Sequence, residues 1–340
     1  MSGRRRHDAL AAAMLLGLAA GPAWAGRYAG EFLALGGGAR GLAMGQATVA
    51  WSDDPFSCFW NPAGLALVNR RSVSGMATAH FGDLGDPLGT LGHLGLTWPI
   101  GGGNLAINYV RFQVSDIPRF PEYGDQDYTF EERRRLIDEA GGAPFGWFAS
   151  VDQAVLLSFA KRNEPVLEFG WLYHEIPLQV PFGLNVKMIH SELDDQAGRG
   201  IGLDAGIQVR AAVQDLTGLK RLGTISLGAR ADNFTNTGLK WSGGEDAIHY
   251  YHVLGLAWTC AAGPLEWTLT RDHDHHYDTQ SRSGLELRYR QRFALRVGHQ
   301  GRDGSFTYGA GFRLATIDVD YAGLDHDLGR LHRMSFVYAF

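Results

Sequence analysis

Along most of the chain, apolar residues return at every second position. The stretch "IGLDAGIQVR" puts Ile201, Leu203, Ala205, Ile207 and Val209 on one face. Asp204, Gln208 and Arg210 share the other face with Gly202 and Gly206. A repeat of two is the signature of a strand with one face against an apolar medium. The same alternation sets Leu285, Leu287 and Tyr289 against Glu286, Arg288 and Arg290, and Ile317, Val319 and Tyr321 against Asp318 and Asp320. It recurs at Leu105/Ile107/Tyr109, Phe182/Leu184/Val186/Met188, Ile225/Leu227, Leu265/Trp267/Leu269, Phe293/Leu295/Val297 and Phe306/Tyr308/Phe312. Strands therefore run from about residue 71 to the C-terminus, with turn residues between them.

The connections alternate in length. Short ones fall at Gly101-Gly102-Gly103, Asn163-Glu164-Pro165, Ala261 to Pro264, the Arg290-Gln291-Arg292 corner and the Leu314-Ala315 corner. Long polar ones cover 113–150, 191–199, 233–249, 272–281, 300–305 and 323–330. Tight turns on one side and longer loops on the other are the pattern of an outer-membrane barrel. With 166–190 taken as one long strand broken by Pro177 and Pro181, the count is about fourteen, an even number that brings both ends to one side. The expected fold is all-β: a transmembrane antiparallel β-barrel of about 14 strands over 71–340.

Closure pairs every backbone group, the condition for strands to cross lipid. An Arg or Lys facing lipid at the midplane costs about 2–4 kcal/mol, so charged positions must face the lumen. That places Arg288, Arg290, Arg296, Arg313, Asp204, Asp318 and Asp320 inside, as ion pairs that fill the barrel.

The chain ends agree with export. Arg4, Arg5 and Arg6, the apolar run Ala9 to Ala20 and the Ala23-Trp24-Ala25 tripeptide form a secretory signal peptide over residues 1–25. No later apolar run approaches the ~20 residues that a membrane helix needs. "LHRMSFVYAF" ends the chain with Met334, Phe336, Tyr338 and Phe340 on one face. A terminal strand of this kind resembles the assembly signal of bacterial outer-membrane proteins. Outer-membrane lipid and the barrel-assembly machinery are the partners it implies.

Composition changes this picture little. A mean hydropathy of −0.15 suits a soluble domain, but a barrel hides its apolar face in alternation. The net charge of −5 and the lack of a basic cluster in the mature chain give no footing for nucleic acid. Two cysteines, Cys58 and Cys260, are too few for a disulfide framework, although they can pair in an oxidising compartment. The 46 glycines mark places where backbones bend or approach closely.

Residues 26–70 lack the alternation. Small residues dominate, from Gly36-Gly37-Gly38 through Ala39, Gly41, Ala43, Gly45, Ala47 and Ala50. Such a segment can pack inside a narrow lumen. Asn61-Pro62 is a turn signal, and Gly64 allows close approach. Gly38-Ala39-Arg40, Met44-Gly45, Val49-Ala50, Asp53-Asp54 and Trp60-Asn61-Pro62-Ala63-Gly64-Leu65 resemble the N-terminal signature of the PorV/PorQ family, within the wider FadL superfamily. "NVKMIHSEL", "GIGLDAG" and "FTYGAGFRLATIDVDYAG" extend the likeness over nearly the whole mature chain. The resemblance implies a fourteen-stranded barrel with an N-terminal hatch in its lumen. Asp53, Asp54, Trp60, Asn61, Pro62, Ala63 and Gly64 would carry the hatch back to the wall. It also implies one of two roles, movement of hydrophobic molecules or service to type IX protein secretion.

The first role is the expectation: a plugged, passive channel for small hydrophobic molecules, with any pocket walled by Phe32, Phe56, Phe59 and Trp60. A partner in protein secretion is the alternative. "RDHDHHYD", 271–278, holds competent metal ligands but falls in a polar loop, so solvated side chains are the expectation and no metal is assigned. "TFEERRRLIDEA", 129–140, reads as a short charged loop helix. No G-x-S-x-G elbow is present and no nucleophile–base pair stands out, so neither catalysis nor a cofactor is expected.

Overall fold

The computed structural model describes residues 29–340, apart from 84–85, 121–127, 140, 142, 170–173, 218–221, 236, 277–278, 302–303 and 327–328. The signal peptide expected over 1–25 lies outside the described residues. Fourteen antiparallel strands form a closed ring. They are β1 (Ser72–Asp83), β2 (Asp86–Ile100), β3 (Gly103–Arg119), β4 (Gly146–Asn163), β5 (Val180–Leu193), β6 (Gln196–Ala212) and β7 (Thr224–Asp232), followed by β8 (Tyr251–Ala262), β9 (Leu265–Asp274), β10 (Gln280–Tyr289), β11 (Phe293–Gln300), β12 (Ser305–Leu314), β13 (Ile317–His326) and β14 (Gly329–Ala339). Each pairs with its neighbours in sequence. The ring closes where β14 meets β1, from Ser72 opposite Ala339 to His80 opposite Leu331.

The alternation read from the sequence becomes an outside and an inside. Ile201, Leu254, Leu295 and Phe306 are exposed on the outer wall at 67%, 50%, 65% and 70%. Asp204, Arg296, Glu286 and Gln208 are buried within it. Met334, Phe336, Tyr338 and Phe340 all lie exposed on the outer face beside the closing seam.

Four expectations change, the first at 271–278, where Asp272 and Asp274 are not solvated loop residues but lie buried on β9. Residues 166–190 are not one strand: Val166–Phe169 and His174–Pro177 pair as a separate hairpin, and only β5 joins the wall. The hairpin belongs to a long connection on the rim that carries both barrel ends, the rim expected to face the periplasm. A second long connection there, after β6, holds the helix α1 (Val213–Thr217). The expected long loop 191–199 is instead a tight turn, with β5 and β6 paired as far as Leu193 and Gln196. Alternating polarity continued into these strand ends, and polar strand ends above the membrane look like loops. Arg290 sits in a turn with positive φ, not in the lumen.

The β3–β4 loop carries the expected helix, α2 (Phe130–Glu139). Thr129 and Glu132 form a capping box at its start, with the Thr129 N–H donating to the Glu132 carboxylate at 2.8 Å. Strand β7 is short, so the wall above Asp232 is completed by residues 233–250. Their hairpin, Gly238–Lys240 with Glu245–Ala247, touches β6 through the Lys240–Arg199 bridge.

Candidate functional site

The lumen is filled by residues 29–70. The segment makes a 3-10 turn at Glu31–Leu33, a helical turn at Ala39–Ala43, another at Ser57–Trp60 and a longer 3-10 stretch at Pro62–Leu67. Asn61 starts the last of these. Its Oδ1 accepts the Ala63 N–H at 3.1 Å, and Pro62 at the first position has no N–H to satisfy. Tight folding needs small residues. The Trp60 ring crosses Gly36 and Gly41, where any Cβ would overlap it, and its Nε1–H donates to the Gly37 carbonyl at 2.6 Å.

Side chains of the wall hold this segment by its backbone. Arg230 donates to the Phe59 and Trp60 carbonyls at 2.6 and 2.8 Å. Asn185 donates to the Cys58 carbonyl at 2.8 Å, Asn104 to those of Leu65 and Val68, and Arg333 to that of Leu35 at 3.0 Å. Carboxylate and hydroxyl groups take the N–H groups: Asp272 accepts from Val49 at 2.9 Å, Ser335 from Ala39 at 2.9 Å and Thr307 from Gly45 at 3.0 Å. Each contact satisfies a backbone group that could not otherwise be buried without cost.

The wall also makes room. Gly183, Gly206, Gly228, Gly284 and Gly298 face inward on β5, β6, β7, β10 and β11. A Cβ at any of them would collide with Pro62, Asn61, Val49, Met44 or Gly45. The band of glycines lets the segment lie backbone against backbone at β5–β7 and at β10–β11.

The two sides of the lumen differ in chemistry. On β1–β5 the wall offers Met76, Leu91, Val110, Ala154, Leu156 and Ile189, which pack with Phe32, Phe56, Phe59, Trp60 and Leu65. On β10–β13 it is ionic. Arg40 bridges Asp53 at 2.6 Å, Asp54 at 3.4 Å and Glu286 at 3.2 Å. Glu286 also pairs with Arg288 at 2.7 Å and with Arg296 at 2.6 Å, and Arg296 reaches Asp320 at 2.6 Å. Burial works against the Asp53 charge, but the Arg40 guanidinium holds its carboxyl below the usual range. Burial pushes the Asp54 carboxyl up to about 6, with Asp53 and Asp320 adding to the rise and Arg40 opposing it. Burial likewise pushes the Cys58 thiol well above its ordinary value.

A vestibule of about 400 Å³ opens beside this network at the periplasmic rim, lined by Asp53, Asp54, Leu67, Ser72 and Val337 among others. Next to Phe59 and Trp60 the open volume is only about 10 Å³. Larger grooves, about 770 and 640 Å³, run over the outer wall past Met188 and Ile201 and past Trp98 and Leu184.

The four aromatics expected to wall a pocket thus come together in one cluster, but as packed side chains. Asp53 and Asp54 meet in the ionic network, Asn61 to Ala63 meet the inner faces of β5 and β6, and Gly64 lies against Ser52 and Ser57 of its own segment. The wall residues Arg230, Asn104, Asn185 and Gln208 escaped the sequence reading. Polarity on an inward face was their signal, shared by many residues that only fill space. Cys58 and Cys260 form no disulfide. Among the described residues no group of three or more His, Cys, Asp or Glu could hold a metal ion, while Asp278 lies outside them.

No family model matches the chain, and no curated protein matches it in sequence. Among solved structures, it is similar to the Ralstonia pickettii toluene transporter TbuX, with a TM-score of 0.50 and 12% identity over 90% of this chain and 98% of that one. It is similar in the same degree to the monoaromatic hydrocarbon channel CymD, with a TM-score of 0.50 and 10% identity over 90% and 98%. At these identities the likeness is one of fold alone, a closed antiparallel β-barrel.

Proposed function

We propose that this chain is a passive outer-membrane channel for small hydrophobic molecules, gated by residues 29–70 acting as a hatch. The observation that carries this reading is the division of the lumen. Apolar side chains of β1–β5 face the hatch aromatics, while the ionic network of Arg40, Glu286, Arg296 and Asp320 stands across from them and further buried charges, Lys187, Asp204, Arg230 and Arg333, flank the apolar side. A displacement of the hatch would uncover an apolar passage along one side only. The similarity to channels named for toluene and monoaromatic hydrocarbons supports the same class of cargo. The packed aromatics leave only about 10 Å³ of open volume beside Trp60, which fits a closed state of such a channel.

A second reading, a PorV-like partner in protein secretion, draws on the two long periplasmic connections. The hairpin Val166–Pro177 and helix α1 leave Val166, Leu167 and Leu216 exposed at 49%, 45% and 43%. A deletion strain separates the readings. Uptake of a labelled long-chain hydrophobe should fall in the strain while the secreted proteome stays unchanged. Unchanged uptake with lost secretion would reject the channel and favour the secretion role.

A further inference from the structure

The apolar side of the lumen is not wholly apolar. Its buried polar side chains include six that lie close together, Ser72, Ser74, His93, Thr97, Asn108 and Ser158, none more than 6% exposed. Each keeps one buried polar atom with no hydrogen-bond partner, namely the four hydroxyls, His93 Nδ1 and Asn108 Nδ2. A buried group left so costs about 1–3 kcal/mol. Six on one wall is a cost that packing alone does not require, since valine or alanine would fill the same places.

Register makes them a strip. Ser72 pairs with Thr97, and Ser74 with Gly95, which in turn pairs with Asn108. Ser158 lies opposite Ala106, the partner of Thr97. Gly95 has no side chain because Asn108, Ser74 and His93 crowd over it. The strip starts at the periplasmic vestibule, whose lining includes Ser72. It ends at His93, whose ring lies 5.1 and 5.2 Å from those of Phe56 and Phe59.

The strip also has a defined chemistry. His93 Nε2 bonds Asn108 Oδ1 at 3.1 Å. An amide oxygen only accepts, so Nε2 carries the proton and Nδ1 is left as an acceptor. The Asn108 Nδ2 group is left as a donor. One donor and one acceptor together, with hydroxyls continuing the line, match a group that both donates and accepts. None of the six is an acid, a lysine or an arginine, so an ionised carboxylate entering here would lose its solvation without a counter-charge.

We propose that this strip is a binding track for phenols: aromatic molecules that carry one uncharged hydroxyl. The ring takes the place beside His93 as Phe56 and Phe59 move with the hatch, and the hydroxyl follows Asn108, Ser74 and Thr97 to the vestibule. The inference rests on the channel reading and narrows its cargo.

The test is calorimetric titration of the purified, detergent-solubilised protein with 4-ethylphenol, 4-ethyltoluene and 4-ethylbenzoate. The phenol should bind about tenfold tighter than the hydrocarbon, the difference one net neutral hydrogen bond makes, and the benzoate should bind weakest. In Asn108→Leu the phenol-to-hydrocarbon ratio should fall to about one, as expected when the hydrogen bond is lost. If Asn108→Leu fails to give a heat-modifiable folded barrel, Ser74→Ala, which removes a single atom, should lower the ratio instead. Hydrocarbon binding with no phenol preference, or a preference unchanged in the folded variants, overturns the track and leaves the channel standing. Failure of all three probes to bind overturns both.

Discussion

Asn61 gathers four polar contacts on one buried amide, its two Nδ2 protons shared among three carbonyls. Besides capping Ala63, its Nδ2 lies 2.8 Å from the Val49 carbonyl, 3.1 Å from that of Ile207 and 3.4 Å from that of Ala229. One side chain thus ties two parts of the hatch to β6 and β7. Asn61→Ala removes the cap and strips those carbonyls of a donor, and should weaken hatch docking by about 1–3 kcal/mol. Limited proteolysis of the folded barrel checks this: cleavage within 29–70 should quicken while the barrel strands stay resistant. The sequence announced a turn at Asn61-Pro62. It gave no sign of the partners 146 and 168 positions away. The wall glycines were hidden in the same way. Gly206 stands out in "GIGLDAG", but only the fold shows that a Cβ there would overlap Asn61 Oδ1.

At the scale of elements, the hatch turn Ala39–Ala43 is held to the wall by charge. Arg40 faces Asp53 and Asp54 on the hatch and Glu286 on β10, while Arg288 and Asp320 stand near. The Asp54 carboxyl, pushed up to about 6 in the folded protein against an ordinary 3.8, holds a proton that the undocked hatch would release. Its contribution to docking is therefore complete below about pH 4 and is lost as pH rises through about 6. Hatch protease resistance should be greater at pH 5 than at pH 7.5, and Asp54→Asn should flatten that difference. A profile that Asp54→Asn leaves unaltered would assign the titration elsewhere. Strand periodicity revealed most of the wall elements, because lipid imposes it on every outward face. It was silent on the hairpin Val166–Pro177, which obeys the same period without joining the ring.

For the whole molecule, closure depends on the last strand. The Phe340 N–H donates to the Arg71 carbonyl at 2.9 Å, and its ring stacks 5.8 Å from that of Tyr338 on the outer face. Deleting Phe340 removes both at the seam and shortens the aromatic face that resembles an assembly signal. The deletion should leave unassembled, protease-sensitive protein, read as loss of the heat-modifiable form in membrane fractions. The fold was legible because counting strands needs only local pattern. The fit of hatch to wall was not, since Ala39 meets Ser335 and Ala43 meets Thr307 across 296 and 264 positions. That separation has a temporal consequence. The hatch is synthesised first, yet its anchors on β5 to β14 arrive last, so it must wait undocked while the ring is built. Contacts of such range form slowly. Once β14 has zipped to β1, the hatch can take up all of these anchors together, so the first part of the chain to be made is the last to be settled.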